Sequence, residues 1–205
     1  MRPLGQWIYA QVEQYRLGQQ AQRAEDPAMA GPGDVKIPTP PTPGDEEGTL
    51  PTPVDEEPVL REYETGEVVG RILIPKLDVD AMVVYGTDLS LLARAPGLYP
   101  QGAVPGQKGN LAVAGHRTTY GAWFRHLDQM EEGDEVILIA EGTRYVYHTE
   151  RVFIVVNNDW SVIDPTDYAA VTLTSCHPPG SHRERIILRG RLEEVGPEQD
   201  EPDGV

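Results

Sequence analysis

The chain has 205 residues, 39% of them hydrophobic and 24% charged, with a formal net charge of −16. That length favours one domain with tails, and the lack of a basic excess in any region argues against nucleic acid as a partner. No run of eighteen apolar residues is present to span a membrane, and the single cysteine, Cys176, rules out an internal disulfide or a multi-cysteine metal site.

In chain order, residues 4–26 predict a helix, because Gln, Ala, Glu and Arg dominate and no proline interrupts. Apolar positions thin out after Leu17, so this helix is expected to have little to bury against a domain. The same stretch is too polar for a signal-peptide core. Residues 27–67 read as a linker. Ten of the nineteen prolines precede residue 68, and Pro-Thr-Pro recurs at 38–40, 41–43 and 51–53. Proline fixes φ and removes a backbone donor, which favours an extended, semi-rigid spacer. Acidic runs at 45–47 and 55–57 keep it solvated.

The folded unit is expected over 68–192, where the charge is nearly balanced at −2. Val69–Ile74, Ala81–Tyr85, Leu111–Ala114, Val136–Ile139, Tyr145–Val156, Val171–Thr174 and Ile186–Leu192 are short runs rich in Val, Ile, Leu and Tyr. Each is bounded by turn formers, as strands are. Glu141-Gly142 suggests a hairpin turn. Leu89–Ala93 and Thr118–Met130 predict short helices, the second stopped by Gly133-Asp134. The fold class is therefore all-β: a closed or nearly closed barrel of seven or eight strands with short helices. Residues 193–205 carry six acidic and no basic side chains and read as an unstructured tail.

Two strands end on residues able to do chemistry. Leu111-Ala-Val-Ala-Gly-His116 presents a histidine just past a glycine, and Val171-Thr-Leu-Thr-Ser-Cys176-His-Pro-Pro presents the cysteine. A thiol is mostly protonated at neutral pH unless a neighbour favours ionisation, and a histidine can do so or protonate a leaving amine. His177 is a poor partner because adjacent strand residues point to opposite faces. His126 and His148 suit surface or packing roles, and the geometry of His182 is open. Arg185 precedes the apolar strand after the cysteine and can reach an oxyanion or a substrate backbone. Arg183, two residues earlier, competes for that role. Arg189 and Arg191 read as surface charges.

Asn110-Leu-Ala-Val-Ala-Gly-His-Arg117, Thr172-Leu-Thr-Ser-Cys-His-Pro178 and Arg185-Ile-Ile-Leu, in this order, resemble the histidine, cysteine and arginine strands of the sortase family. The resemblance covers roughly residues 68–192. Gly115-His-Arg-Thr-Thr-Tyr-Gly121 with Cys-His-Pro is most similar to class E sortases; Ser175 departs from the usual threonine but keeps a hydroxyl. The resemblance implies a cysteine transpeptidase that cleaves a Leu-Ala/Pro-x-Thr-Gly motif between Thr and Gly and passes the acyl group to a cell-wall peptide amine. Cys176 is then the nucleophile, His116 the general acid and base, and Arg185 the binder of substrate and oxyanion. Tyr120, Thr174, Ser175 and Arg117 are expected around the substrate, with Tyr120 selecting Ala over Pro. The partners implied are surface proteins bearing a C-terminal sorting motif. The location implied is the extracellular face of the membrane, held there by an N-terminal transmembrane helix that this sequence does not contain. No cofactor is implied. Asp128, Glu131, Glu132 and Asp134 lack a calcium-loop spacing, so no metal requirement is expected.

Other readings fit less well. Peptidoglycan cross-linking cysteine transpeptidases carry an arginine two residues past the cysteine, where this chain has Pro178. A non-catalytic surface-binding barrel has no reason to place His, Cys and Arg at three strand ends. A pilin-polymerising sortase often has a lid, and no clear aromatic lid motif precedes residue 68.

Overall fold

The structure, a computed structural model, describes residues 4–25 and 62–198. Eight strands close into a barrel in the order β1-β2-β3-β4-β7-β8-β6-β5, which meets the expected fold class. The strands are β1 Val68–Ile74, β2 Val79–Tyr85, β3 Gly97–Leu98, β4 Gly109–Ala114, β5 Glu135–Ala140, β6 Thr143–Val156, β7 Ala169–His177 and β8 Glu184–Pro197. Alternation fills the interior: Ile72, Val113, Leu138, Leu173 and Leu188 are each at most 2% exposed. The β5–β6 hairpin turns on Glu141 and Gly142, both with positive φ (52° and 68°), as a tight two-residue turn requires.

Two pairings position the functional residues. β4 runs parallel to β7 with Ala114 opposite Thr174. β7 runs antiparallel to β8 with Cys176 opposite Arg185. β4 is buried along its whole length, so it reads as a continuous apolar run rather than an alternating one.

Four expectations are corrected. Thr118–Met130 is not a helix. Tyr120 and Ala122 take positive φ (51° and 47°), and the only helical turn is Leu127–Gln129. The helix-like spacing of Trp123, Phe124, Leu127 and Met130 instead drives all four into the barrel core. α1, Leu4–Glu25, forms as expected but docks on the barrel. Ala10 and Leu17 are fully buried and Glu13 is 6% exposed. Gln14 accepts a hydrogen bond from the Met82 N–H (2.5 Å) and donates to the Met82 and Arg94 carbonyls. β8 continues to Pro197, past the expected end at 192. The two-residue β3 was not anticipated. Most of the proposed linker, and the tail beyond residue 198, lie outside the described residues.

Candidate active site

The ends of β4, β7 and β8 meet at one rim of the barrel. Beyond Ala114 the β4 chain stays locked to β7: the Gly115 N–H donates to the Thr174 carbonyl (3.0 Å), and Ser175 Oγ donates to the Gly115 carbonyl (2.8 Å). Carrying the Ala114–Thr174 register two residues further sets His116 level with Cys176. Parallel neighbours at the same level share a face, the placement that an imidazole serving the sulfur requires. Glycine is required at 115, since a Cβ there would lie 2.5 Å from the Phe124 ring.

Arg185 is the cross-strand partner of Cys176, and its Nη1 donates to Cys176 Sγ at 3.4 Å. The same nitrogen lies within hydrogen-bond reach of the His182 (3.4 Å) and Glu184 (3.3 Å) carbonyls, which fix the guanidinium over the sulfur. Arg183 is exposed and outside the β7–β8 register. Its backbone is held by Ser181 and Asn157. Of the two arginines that the sequence left open, Arg185 is the one opposite Cys176.

Cys176 is a half-buried free thiol. His116 is half-buried too, and its ring packs on Tyr120 with centroids 5.2 Å apart and planes tilted by 31°. Its Nε2 is buried with no hydrogen-bond partner. Burial holds the His116 imidazole below the ordinary histidine range, so the neutral ring is the resting form at neutral pH. A neutral imidazole with an unengaged nitrogen beside a thiol can take the proton as the sulfur attacks.

The other expected site residues are placed differently. Thr174 is 4% exposed and its hydroxyl meets the Tyr99 hydroxyl at 3.1 Å. Ser175 is 3% exposed and engaged with Gly115. Both hydroxyls tie neighbouring segments of the chain together. Arg117 is the most buried of them: its side chain is 2% exposed and reaches Asp128 Oδ1 at 2.5 Å. His177 pairs with Glu184. His126 and His182 are exposed, and His148 faces Glu135 across the β5–β6 hairpin. Arg189 and Arg191 are more than surface charges: Arg189 bonds the Val162 carbonyl, and Arg191 pairs with Glu150 while covering the Tyr168 ring.

Sequence reasoning missed Asn110. Its amide donates to the Val162 and Asp164 carbonyls, and its oxygen accepts from Thr172 Oγ1 (2.6 Å). This anchors the loop before β7 to β4. The available signal was a polar side chain opening an otherwise apolar strand, since a buried amide must find partners. Among the described residues no group of three or more His, Cys, Asp or Glu is placed to hold a metal ion. The Lys76 ammonium lies 2.7 Å from both Glu131 and Asp134.

A closed barrel with Cys, His and Arg at one rim defines a class of thiol-dependent barrel proteins, and comparison with known proteins agrees. A family model described as a sortase domain matches residues 72–193, and the chain belongs to the sortase family. It is 30% identical over 132 residues to sortase D of Bacillus subtilis (62% of this chain, 65% of that protein). It is also 30% identical over 151 residues to sortase SrtE1 of Streptomyces coelicolor (66% and 43%). The chain therefore spans less than two thirds of the length of these curated relatives. Among solved structures, sortase E from Streptomyces avermitilis superposes with a TM-score of 0.63 at 33% identity, covering 69% of this chain and 98% of that one.

Proposed function

We propose that this chain is a cysteine transpeptidase that cuts a Leu-Ala/Pro-x-Thr-Gly sorting signal between Thr and Gly and transfers the acyl group to an amine. One observation carries the reading: Arg185 contacts the Cys176 sulfur across a strand pair whose other neighbour sets His116 level with it. Cys176 attacks the threonine carbonyl while His116 takes the thiol proton. Arg185 N–H groups meet the oxygen as it gains negative charge. Collapse of this intermediate breaks the Thr–Gly bond, and the proton on His116 passes to the departing glycine nitrogen. The thioester left on Cys176 is then attacked by an amine, His116 takes the amine proton, and the thiolate leaves.

The barrel from Val68 to Pro197 is the catalytic unit in this reading, and the acidic Pro-Thr-rich stretch before it is a spacer from the membrane surface. The substrates are surface proteins carrying the signal, the acceptor is a cell-wall peptide amine, and the place of action is the outer face of the cell membrane. Among the described residues no helix is long and apolar enough to cross a membrane. Class E character and a preference for Ala at the second signal position rest on Tyr120 against His116. The test is to mix the protein with Leu-Ala-x-Thr-Gly or Leu-Pro-x-Thr-Gly peptide and an oligoglycine amine, and to identify products by mass. A ligated product with glycine released supports the reading. Equal or better use of the proline peptide removes the Ala preference, and no cleavage of either removes the activity.

A further inference from the structure

Arg117 is unusual among the charged side chains of the barrel. It is 2% exposed, yet it pairs with Asp128, a carboxylate that is itself 55% exposed. Its Nε and Nη1 are buried with no acceptor. A buried donor without a partner is destabilising, and an apolar side chain of similar shape is often as stable or more so at such a place. Stability therefore does not explain an arginine here.

Its position suggests what does. Arg117 directly follows His116, and its side chain enters the interior face that Val113 and Gly115 share by alternation. Its guanidinium pairs with Asp128, closing the twelve-residue stretch 117–128 into a loop. Between the two ends lie Tyr120, which packs on the His116 ring, and Phe124, which is fully buried against Gly115. Burial is the largest influence on the Arg117 guanidinium and holds it below its ordinary range, against the opposing pull of Asp128.

We propose that Arg117 is a positioning residue. Its ion pair with Asp128 draws the 117–128 loop shut and thereby holds the His116 imidazole, with Tyr120 behind it, at the working distance from Cys176. This rests on the reading of Cys176 and His116 as the reacting pair. Neither Arg117 nor Asp128 touches substrate; they act through the residues between them.

The test compares wild type, Arg117→Met, Arg117→Lys and Asp128→Ala in thermal melting, in acylation by sorting-signal peptide, and in alkylation of Cys176 by iodoacetamide. Arg117→Met should keep or raise the melting temperature while acylation falls roughly ten- to a hundredfold, the loss expected when a reacting group is misplaced by about an ångström. The fall should be in kcat more than in KM. Arg117→Lys should recover part of the rate, and Asp128→Ala, at an exposed position, should fold normally and lose several-fold. A melting temperature and a rate that fall together in all three variants would make Arg117 structural only and overturn the inference. So would wild-type acylation rates in Arg117→Met and Asp128→Ala. If wild type itself fails to acylate, the transpeptidase reading fails. Arg117 is then judged by alkylation, which needs no peptide: equal rates across the four proteins overturn its role, and slower rates in Arg117→Met and Asp128→Ala with partial recovery in Arg117→Lys uphold it.

Discussion

Under α1, Glu13 accepts hydrogen bonds from Arg16 and Arg94, each at 2.8 Å, and Gln14 makes three bonds to the backbone of Met82 and Arg94. At the rim the pattern reverses. His116 Nε2, Arg117 Nε and Nη1, Arg125 Nε and His177 Nδ1 are buried without partners. Among the described residues nine side-chain atoms are in this state; these five sit on residues 116, 117, 125 and 177, and one of the other four, Gln6 Oε1, is on α1. Both regions bury polar groups against one barrel. At the helix interface Glu13 and Gln14 are satisfied clamps, which suits docking. The rim leaves them open, which suits a place that must exchange protons and receive a peptide.

The largest expected effect is at the rim itself. Cys176→Ala should abolish peptide cleavage, and His116→Ala should nearly do so, with melting temperatures within a few degrees of wild type. Arg185→Ala should lower cleavage about 10²- to 10³-fold, the usual loss for an oxyanion donor, whereas Arg183→Ala should cost little. Comparable losses for the two arginines in the same assay would break the assignment. The helix interface should respond in the opposite way. Leu17→Ala is expected to lose about 2–5 kcal/mol of stability and Gln14→Ala about 1–3 kcal/mol, read by denaturant melts, with acylation by the folded fraction unchanged. A large fall in kcat from either would erase the distinction between the regions.

A smaller effect concerns pH. Burial depresses the folded-state pKa of His116 below its unfolded value. Its stabilising contribution is therefore complete above about pH 6.5, the unfolded value, and is lost as pH falls through the lower folded value. With the neutral ring as the proposed proton acceptor, the acid limb of the cleavage profile should lie below that of a free histidine. A limb at or above 6.5 would contradict the neutral-acceptor role. The smallest expected change is Tyr120→Ala, which should narrow the Ala-over-Pro preference a few-fold in competition assays.

Most of the barrel was legible because its strands are short apolar runs between turn formers, and strong β-formers at that spacing have few alternatives. β3 escaped because Gly97-Leu98 is too short to show a pattern. The 118–130 segment was misread because its apolar spacing matches a helix, while Gly121 and the positive φ at Tyr120 and Ala122 bend it into the barrel mouth. The docking of α1 was missed for a related reason. Its more hydrophobic residues Ile8, Val12 and Tyr15 are exposed (48%, 45% and 69%), while the buried face is built from Ala10, Glu13, Gln14 and Leu17. Hydrophobic periodicity points to the wrong side of such a helix. At the site, the order of His, Cys and Arg at strand ends was visible. Choosing Arg185 over Arg183 needed the β7–β8 register, and the burial of Arg117 needed the structure.

The whole account depends on a nucleophilic sulfur served by an imidazole and a guanidinium. Intact-mass measurement after incubation with Leu-Ala-x-Thr-Gly peptide tests it most directly. Wild type should gain the mass of the peptide up to its threonine, hydroxylamine should remove that mass as it does a thioester, and Cys176→Ala should gain nothing. A wild-type protein that stays unmodified, or an adduct that persists in Cys176→Ala, would contradict the assignment.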